Sequence, residues 1–458
     1  MSYSLLFLTQ LILVYTGFAI WRTYKWKAFC HPGMFFCALW LAASSSSFIL
    51  SWFPSANLVV NGALIDELHT FVLFTAFSFL LLKGWGARTV RCGGPAWRVE
   101  RYEKTYRLFA AIALVLAIVD FVQRGAHLNA QEAHVAMVAR NLSRFYGVTS
   151  QTFLQTLTGG AVSINAILCV VAGFIWARGE RKDSRVWLAV PLLVGILNSL
   201  AVGGRMAFFQ VLLLYAFGFA LAASCGIPRE RLKRVVFAGI LAFCLFAAYS
   251  GWVYRQRTEG CVAGHSWNPY PALAPAASMM DCLGSSYIGY QYRRGDFVTP
   301  EPDWGIKSFG GVWFATLPFG AYWCPGGSVG DLLELEQYTW NKRVGELKAE
   351  HAPCFASISP MYLLLYDDFG YGGTLLVCFL LVALTQWIYV RWFAKPHVLI
   401  AAIYFPLMAF CFWSHSLTDP YTATAGWKVV LIAILMIELV QQLRKNPEAA
   451  ADGAVPKT

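Results

Sequence analysis

Long apolar runs separated by short polar connections make up most of the chain. Runs of about 17–25 residues have the length that an α-helix needs to cross roughly 30 Å of hydrocarbon. They are continuous rather than alternating, which excludes a transmembrane β-barrel. The runs lie near residues 3–21, 32–53, 64–82, 107–122, 153–176, 186–203, 206–224, 235–253, 371–393, 397–417 and 425–443. The sequence therefore predicts an all-α, polytopic membrane protein with about 11 transmembrane helices.

The connections divide the chain into four regions. Residues 1–253 hold predicted transmembrane helices 1 to 8, and residues 254–358 form one large polar loop that is rich in aromatic side chains. Residues 359–443 are predicted to hold a re-entrant or interfacial segment followed by helices 9 to 11. The tail, residues 444–458, is rich in Pro, Ala and Gly, which predicts a disordered end.

Composition and charge give the sidedness of these regions. Hydrophobic residues make up 58% of the chain and charged residues 13%, whereas a soluble domain carries about 25% charge. Most of the 36 Lys and Arg residues fall in alternate short connections and in the tail, and such connections are cytoplasmic. The large loop is then outside and the C-terminus inside. The net charge of +11 reflects this topology, so no nucleic-acid partner is expected.

The cysteines favour the same orientation. Four of the 12 cysteines lie in the large loop, at Cys261, Cys282, Cys324 and Cys354. An oxidising outer compartment would allow two disulfides, and three pairings remain open. The spacing does not favour a metal site, and the chain has no nucleotide-binding loop. No metal and no cofactor are expected.

Arginines supply the candidate binding groups on the outer side. Arg205 follows Gly203 and Gly204 in a tight hairpin between two apolar runs. Its guanidinium either reaches the membrane interface or binds a phosphate with its rigid fork. Arg140 and Arg144 share one face of a predicted short helix, which is either solvated or part of the same site. The remaining candidates for phosphate or glycan binding are Arg255, Arg257, Arg293, Arg294 and Tyr366.

A pair of carboxylates marks the end of the large loop. Pro360 is predicted to open a short helix, and glycines break it before the next span begins. Asp367 and Asp368 lie in this helix, where they either pair with outer arginines or act in catalysis. His415, near the outer end of a later span, is a further candidate for proton transfer.

Two of these segments resemble a known family. The turn from Gly203 to Arg205 starts a span, and the run Tyr-Asp-Asp-Phe-Gly-Tyr-Gly-Gly at 366–373 is similar to the signature that follows the large loop of Wzy-type O-antigen polymerases. The layout of many spans, outer arginines and one large late loop resembles that family over nearly the full length.

The resemblance implies a multi-span glycosyltransferase of the bacterial inner membrane with a periplasmic loop. Its substrate would be an oligosaccharide repeat unit on undecaprenyl diphosphate, and the chemistry would need neither a metal nor a nucleotide sugar. Outer arginines would hold the diphosphate, while Asp367, Asp368 or His415 would serve the acceptor. The flippase and the chain-length regulator of the same pathway would be partners, alongside the lipid bilayer.

Three other functions compete with a polymerase. An O-antigen ligase has a similar layout and uses a loop histidine, for which His265 and His351 are available. A transporter or flippase is disfavoured, because charges within the spans are few and no internal repeat is visible. A non-catalytic scaffold of envelope assembly stays open.

Overall fold

The computed structural model describes the chain as a set of packed helices. The described residues are 3–50, 62–92, 103–124, 168–177, 185–202, 206–224, 229–258 and 361–394, with the single positions 129, 132, 133, 136, 165, 287, 290, 291 and 294. The helices are α1 (Tyr3–Tyr24), α2 (Pro32–Leu50), α3 (Gly62–Leu82), α4 (Ala87–Cys92), α5 (Glu103–Gln123), α6 (Leu168–Ala177), α7 (Arg185–Val202), α8 (Met206–Ser224), α9 (Arg229–Thr258) and α10 (Met361–Ala394). A 3₁₀ turn, Lys25–Cys30, joins α1 to α2.

Several of these helices have the character of membrane spans. Five described segments are long and apolar enough to cross a bilayer: Ser4–Cys30, Pro32–Ile49, Gly62–Leu82, Tyr106–Gln123 and Leu365–Ala394. Large apolar side chains such as Phe7, Leu108 and Phe237 project from the outer faces of the helices, as they do where helices contact lipid. These features indicate a membrane protein and agree with the predicted all-α fold.

The finer topology stays a prediction. The runs near 397–417 and 425–443, nearly all of the loop at 254–358 and the tail at 444–458 lie outside the described residues. The four loop cysteines lie outside as well. The described cysteines, which form no disulfides with one another, are Cys30, Cys37, Cys92, Cys169, Cys244 and Cys378.

Two buried clusters hold the bundle together. One joins α1, α2, α3 and α10 around large side chains such as Trp40, Phe71 and Trp392. The other joins α5, α6, α7 and α8. Helices α6 and α8 contribute residues to both clusters, among them Phe174 and Phe217, so this pair connects the two halves.

Glycines allow α6 and α8 to lie unusually close together. A Cβ atom at Gly173 would meet the carbonyl oxygen of Tyr215, and one at Gly218 would meet the carbonyl oxygen of Val170. Such small-residue contacts let helix backbones approach each other in lipid, where water does not drive the helices together.

We expect Gly218→Val to destabilise the protein by about 3 kcal/mol, because two backbones must separate to admit the side chain. The thermal unfolding midpoint of the detergent-purified protein measures the effect. Gly239→Val is the matched control, since nothing lies within 4 Å of a Cβ at Gly239. Equal midpoints for the two variants would contradict the close crossing.

A buried polar network connects the helices at the end of the bundle where α1 and α3 finish. The His31 Nε2 atom lies 2.7 Å from Gln386 Oε1, and Nδ1 accepts a 3.0 Å hydrogen bond from the backbone N–H of Gly33. The Gln386 Nε2 atom donates to the Tyr24 hydroxyl at 2.8 Å and to the Trp85 carbonyl oxygen at 3.0 Å. This Gln386 network joins α1, α2, α10 and the turn after α3.

Basic residues surround the Gln386 network. Lys27 donates to the carbonyl oxygen of Val90 at 2.6 Å, and Arg91 donates to that of Thr23 at 2.8 Å. The basic connections after α1 and after α3 thus share one end of the bundle.

Helix α10 is a hairpin with two limbs. Gly370 has φ 64° and ψ −174°, a conformation that is essentially restricted to glycine. The Tyr362 hydroxyl lies 3.0 Å from Thr75 Oγ1, and the Cys378 thiol is also hydrogen-bonded to Thr75. A straight helix would separate residues 362 and 378 by about 24 Å. The limb at 361–369 therefore folds back on the limb at 371–394.

Phe71 of α3 also indicates the reversal, because its ring contacts residues of both limbs. Tyr362 and Tyr366 lie before Gly370, and Tyr371 lies after it. The sequence predicts a re-entrant or interfacial segment in this region, with glycines that interrupt the helix. In the structure, the break falls at Gly370, and the short limb packs against α3. The hairpin brings Tyr366, Asp367 and Asp368 beside the start of α3.

Candidate functional site

Three distant parts of the chain meet at the start of α3. The Arg294 Nε atom lies 3.1 Å from Glu67 Oε1, and the Tyr290 hydroxyl donates to the same oxygen at 2.5 Å. The centre of the Arg294 guanidinium lies 3.8 Å from the centroid of the Tyr366 ring. The four residues come from α3, the large loop and the short limb of α10. We call them the Glu67 cluster.

The Glu67 cluster fixes the arginine in place from two sides. Glu67 holds the edge of the guanidinium, and Tyr366 lies against its face, which is a favourable cation–π arrangement. Within the described residues, Arg294 uses Nε for its hydrogen bond, so the two terminal nitrogen atoms remain to bind an anion. A guanidinium held in this way is ready to bind without reorganising.

The charges in the Glu67 cluster follow from its surroundings. Burial would lower the pKa of Arg294, but Glu67 and two tyrosine hydroxyls raise it above its ordinary value. Burial and the neighbouring Glu67 carboxylate raise the pKa of Tyr290 well above its ordinary value. Arg294 is therefore a permanent cation, and Tyr290 stays a hydrogen-bond donor.

A histidine lies near this cluster. His69 is fully buried, and its ring centroid is 5.1 Å from that of Tyr287. Tyr287 is also buried and packs against Trp40 of α2. Among the residues that the structure describes, neither ring nitrogen of His69 has a hydrogen-bond partner, and neither does the Tyr287 hydroxyl. The loop residues Tyr287, Tyr290 and Arg294 thus cover both His69 and Glu67.

Two further carboxylates are buried in the short limb of α10. Asp367 is 4% exposed and Asp368 is fully buried. They follow Tyr366, which carries the Arg294 contact. Within the described residues, the start of α3, the short limb of α10 and the large loop therefore contribute one fixed cation, an imidazole and the carboxyl groups of Asp66, Glu67, Asp367 and Asp368.

The structure places some of the sequence-predicted residues in this site. Arg294 and Tyr366 are in direct contact, and Asp367 and Asp368 are buried in the same short limb as Tyr366. Arg255 and Arg257 lie in the last turns of α9, and their side chains lie outside the described part of the structure. The other candidates, Arg140, Arg144, Arg205, Arg293 and His415, lie outside the described residues.

Sequence reasoning missed Glu67 and His69, and it gave Tyr287 and Tyr290 only as two of many loop aromatics that could contact a glycan. The available signal was the polar start of the third apolar run, where Asp66, Glu67 and His69 stand within four positions. Ionisable residues inside a predicted span indicate function more often than chance. No group of three or more His, Cys, Asp or Glu residues in the described ranges could hold a metal ion.

Comparison with known proteins gives no relative: no family model, no curated protein and no solved structure matches the chain. The functional interpretation therefore depends on the sequence and on the geometry of the site.

Proposed function

We propose that the protein is a membrane glycosyltransferase that joins undecaprenyl-diphosphate-linked oligosaccharide units into O-antigen or exopolysaccharide. It would act on the periplasmic face of the bacterial inner membrane, with the basic connections in the cytoplasm. The observation that carries the proposal is the fixed Arg294, held by Glu67 and Tyr366 at the end of the bundle opposite the Gln386 network.

The chemistry of a lipid diphosphate fits this arrangement. In the proposed reaction, an acceptor sugar hydroxyl attacks the anomeric carbon of the donor, and the lipid diphosphate leaves. Negative charge grows on the leaving oxygen, so a guanidinium that is already in position stabilises the transition state more than the ground state. Arg294 would supply this charge, and Arg205 is a second candidate from the sequence.

Tyr366, Asp367 and Asp368 have side chains that could bind the acceptor sugar. Tyr366 offers an aromatic surface beside the cation, and aromatic rings pack well against the apolar faces of sugars. Buried carboxylates such as Asp367 and Asp368 can orient sugar hydroxyls. Two substrates anchored in one membrane also meet in a limited set of orientations, which lowers the entropic barrier.

Deleting the gene tests the function. We expect the deletion strain to make lipid A core capped with a single repeat unit, and the intact gene to restore the ladder of longer glycans. Electrophoresis of the extracted lipopolysaccharide or exopolysaccharide measures the outcome.

Three results would contradict polymerisation. Full-length polymer on undecaprenyl diphosphate, with none on lipid A, would establish the ligase function instead. An unchanged ladder in the deletion strain would remove the case for any transfer step in this pathway. Repeat units retained in the cytoplasmic leaflet would indicate a flippase.

A further inference from the structure

His69 and Tyr287 are two buried polar side chains whose hydrogen-bonding atoms have no partners. His69 is 0% exposed and Tyr287 is 1% exposed, and their rings lie 5.1 Å apart. The two ring nitrogens and the hydroxyl are all without hydrogen bonds in the part of the chain that the structure describes. Buried polar groups are nearly always satisfied, because each one left unsatisfied destabilises the fold.

His31 shows how the same fold treats a structural histidine. It is equally buried, but Nε2 is paired with Gln386 and Nδ1 with the backbone N–H of Gly33. Since Nδ1 accepts a hydrogen bond, the proton resides on Nε2 and the ring has one fixed tautomer. His69 has no such anchor, so its nitrogens are available to a ligand.

The loop residue that packs on His69, Tyr287, lies in the same segment as Arg294, the cation of the Glu67 cluster. Tyr287, Tyr290 and Arg294 follow one another at spacings of three and four, which places them on one helical face. Tyr287 lies against His69, while Tyr290 and Arg294 bind Glu67 two residues earlier in α3. A ligand that displaces Glu67 from Arg294 would therefore loosen the same residues that cover His69.

We propose that His69 is the proton acceptor of the transfer reaction, and that Tyr287 orients the acceptor hydroxyl beside it. This inference rests on the proposed function and adds the residue that activates the acceptor.

The proposed step transfers one proton, forms one bond and breaks another. The sugar O–H proton moves to a ring nitrogen of the neutral imidazole, which becomes an imidazolium. The freed oxygen electron pair forms the new bond to the anomeric carbon. The bond from that carbon to the diphosphate oxygen breaks, and its electron pair leaves with the lipid diphosphate.

The roles of the two side chains follow from their chemistry. A neutral imidazole has an open lone pair that can accept a proton. Burial raises the pKa of Tyr287, so its hydroxyl remains a donor and can bind the sugar oxygen. A carboxylate is not required for this step, which leaves Asp367 and Asp368 to position the sugar.

The decisive experiment compares His69→Phe with His31→Phe in proteoliposomes. The substrate is the lipid-linked repeat unit extracted from the deletion strain, and polymer length and thermal midpoint are measured on the same preparations. We expect His69→Phe to reduce the rate about 100-fold or more, since a general base contributes about 10²- to 10⁴-fold. Its midpoint should equal or exceed the wild-type value, because an unsatisfied polar group is removed.

His31→Phe should behave in the opposite way, with a clearly lower midpoint, because it leaves the buried Oε1 atom of Gln386 without the hydrogen bond from His31. A lower midpoint in His69→Phe, parallel to its loss of rate, would show that His69 is structural and overturn the inference. Normal polymerisation by His69→Phe would overturn it as well.

A second variant separates chemistry from packing. His69→Ala removes the ring, and added imidazole should restore at least a tenfold increase in rate if His69 takes the proton. Failure of imidazole to raise the rate of a folded His69→Ala protein counts against the proposed role. If the wild-type protein makes no polymer from this substrate, the proposed function is wrong. If the wild-type protein and His69→Phe both make polymer, only the role of His69 is wrong.

Discussion

Arg294→Ala is expected to lower the polymerisation rate about 100-fold while the protein stays folded. The loss removes the one cation that Glu67 and Tyr366 hold in place, and the removal of a single prepositioned donor has effects of this size in other enzymes. Both charges of the ion pair are partly exposed, so the free energy of unfolding should change by only about 1 kcal/mol or less.

Arg294→Lys tests whether the planar guanidinium geometry is needed or whether a positive charge alone is enough. Lysine keeps the charge but cannot pair edge-on with Glu67 while lying flat on Tyr366, so we expect a loss of at least about tenfold. Arg124→Ala is the matched control, because Arg124 also pairs with a carboxylate, 2.8 Å from Asp120, at the end of α5, a helix that packs in the second buried cluster. Proteoliposome assays of all three variants measure the rates. Equal rates for Arg294→Ala and Arg124→Ala would contradict the role of Arg294.

Gly370→Ala is expected to abolish polymerisation through the hairpin. Alanine at φ 64° and ψ −174° is strained by about 1–3 kcal/mol, and relief of that strain would straighten the turn. Straightening moves Tyr366, Asp367 and Asp368 away from α3 and from Arg294. Rate and thermal midpoint should therefore fall together.

Gly372→Ala provides the control for this prediction. Gly372 is helical, it is not among the glycines with positive φ, and nothing lies within 4 Å of a Cβ at this position. It should retain activity and gain slight stability, since alanine restricts the unfolded chain. A fully active Gly370→Ala variant would show that the reversal is not needed for the reaction.

The helices themselves were largely predictable from the sequence. Lipid imposes long apolar runs, so the run at 206–224 coincides with the observed helix Met206–Ser224. The run at 235–253 underestimates α9, which continues as Arg229–Thr258. Hydropathy detects only the apolar part of a helix, which contacts the hydrocarbon. Arg, Lys and Gln are good helix formers, so they extend the helix beyond this part at both ends.

The site was predictable only in part. Arg294 and Tyr366 stand out locally, one as an outer arginine and the other within a glycine-flanked motif. Their meeting at Glu67 joins positions that are hundreds of residues apart, and no local pattern encodes such a contact. His69 escaped notice because the apolar residues around it dominate the average of its run.

The order of synthesis gives the Glu67 cluster a consequence for biogenesis. Helix α3 enters the membrane long before the ribosome reaches Arg294 or Tyr366, so Glu67 and His69 first meet lipid without the residues that later cover them. Ionisable groups at that depth are unfavourable in lipid alone. Helix α3 therefore cannot complete its packing until the large loop and α10 have been synthesised. A chain that ended before the large loop would leave Glu67 without Tyr290 and Arg294.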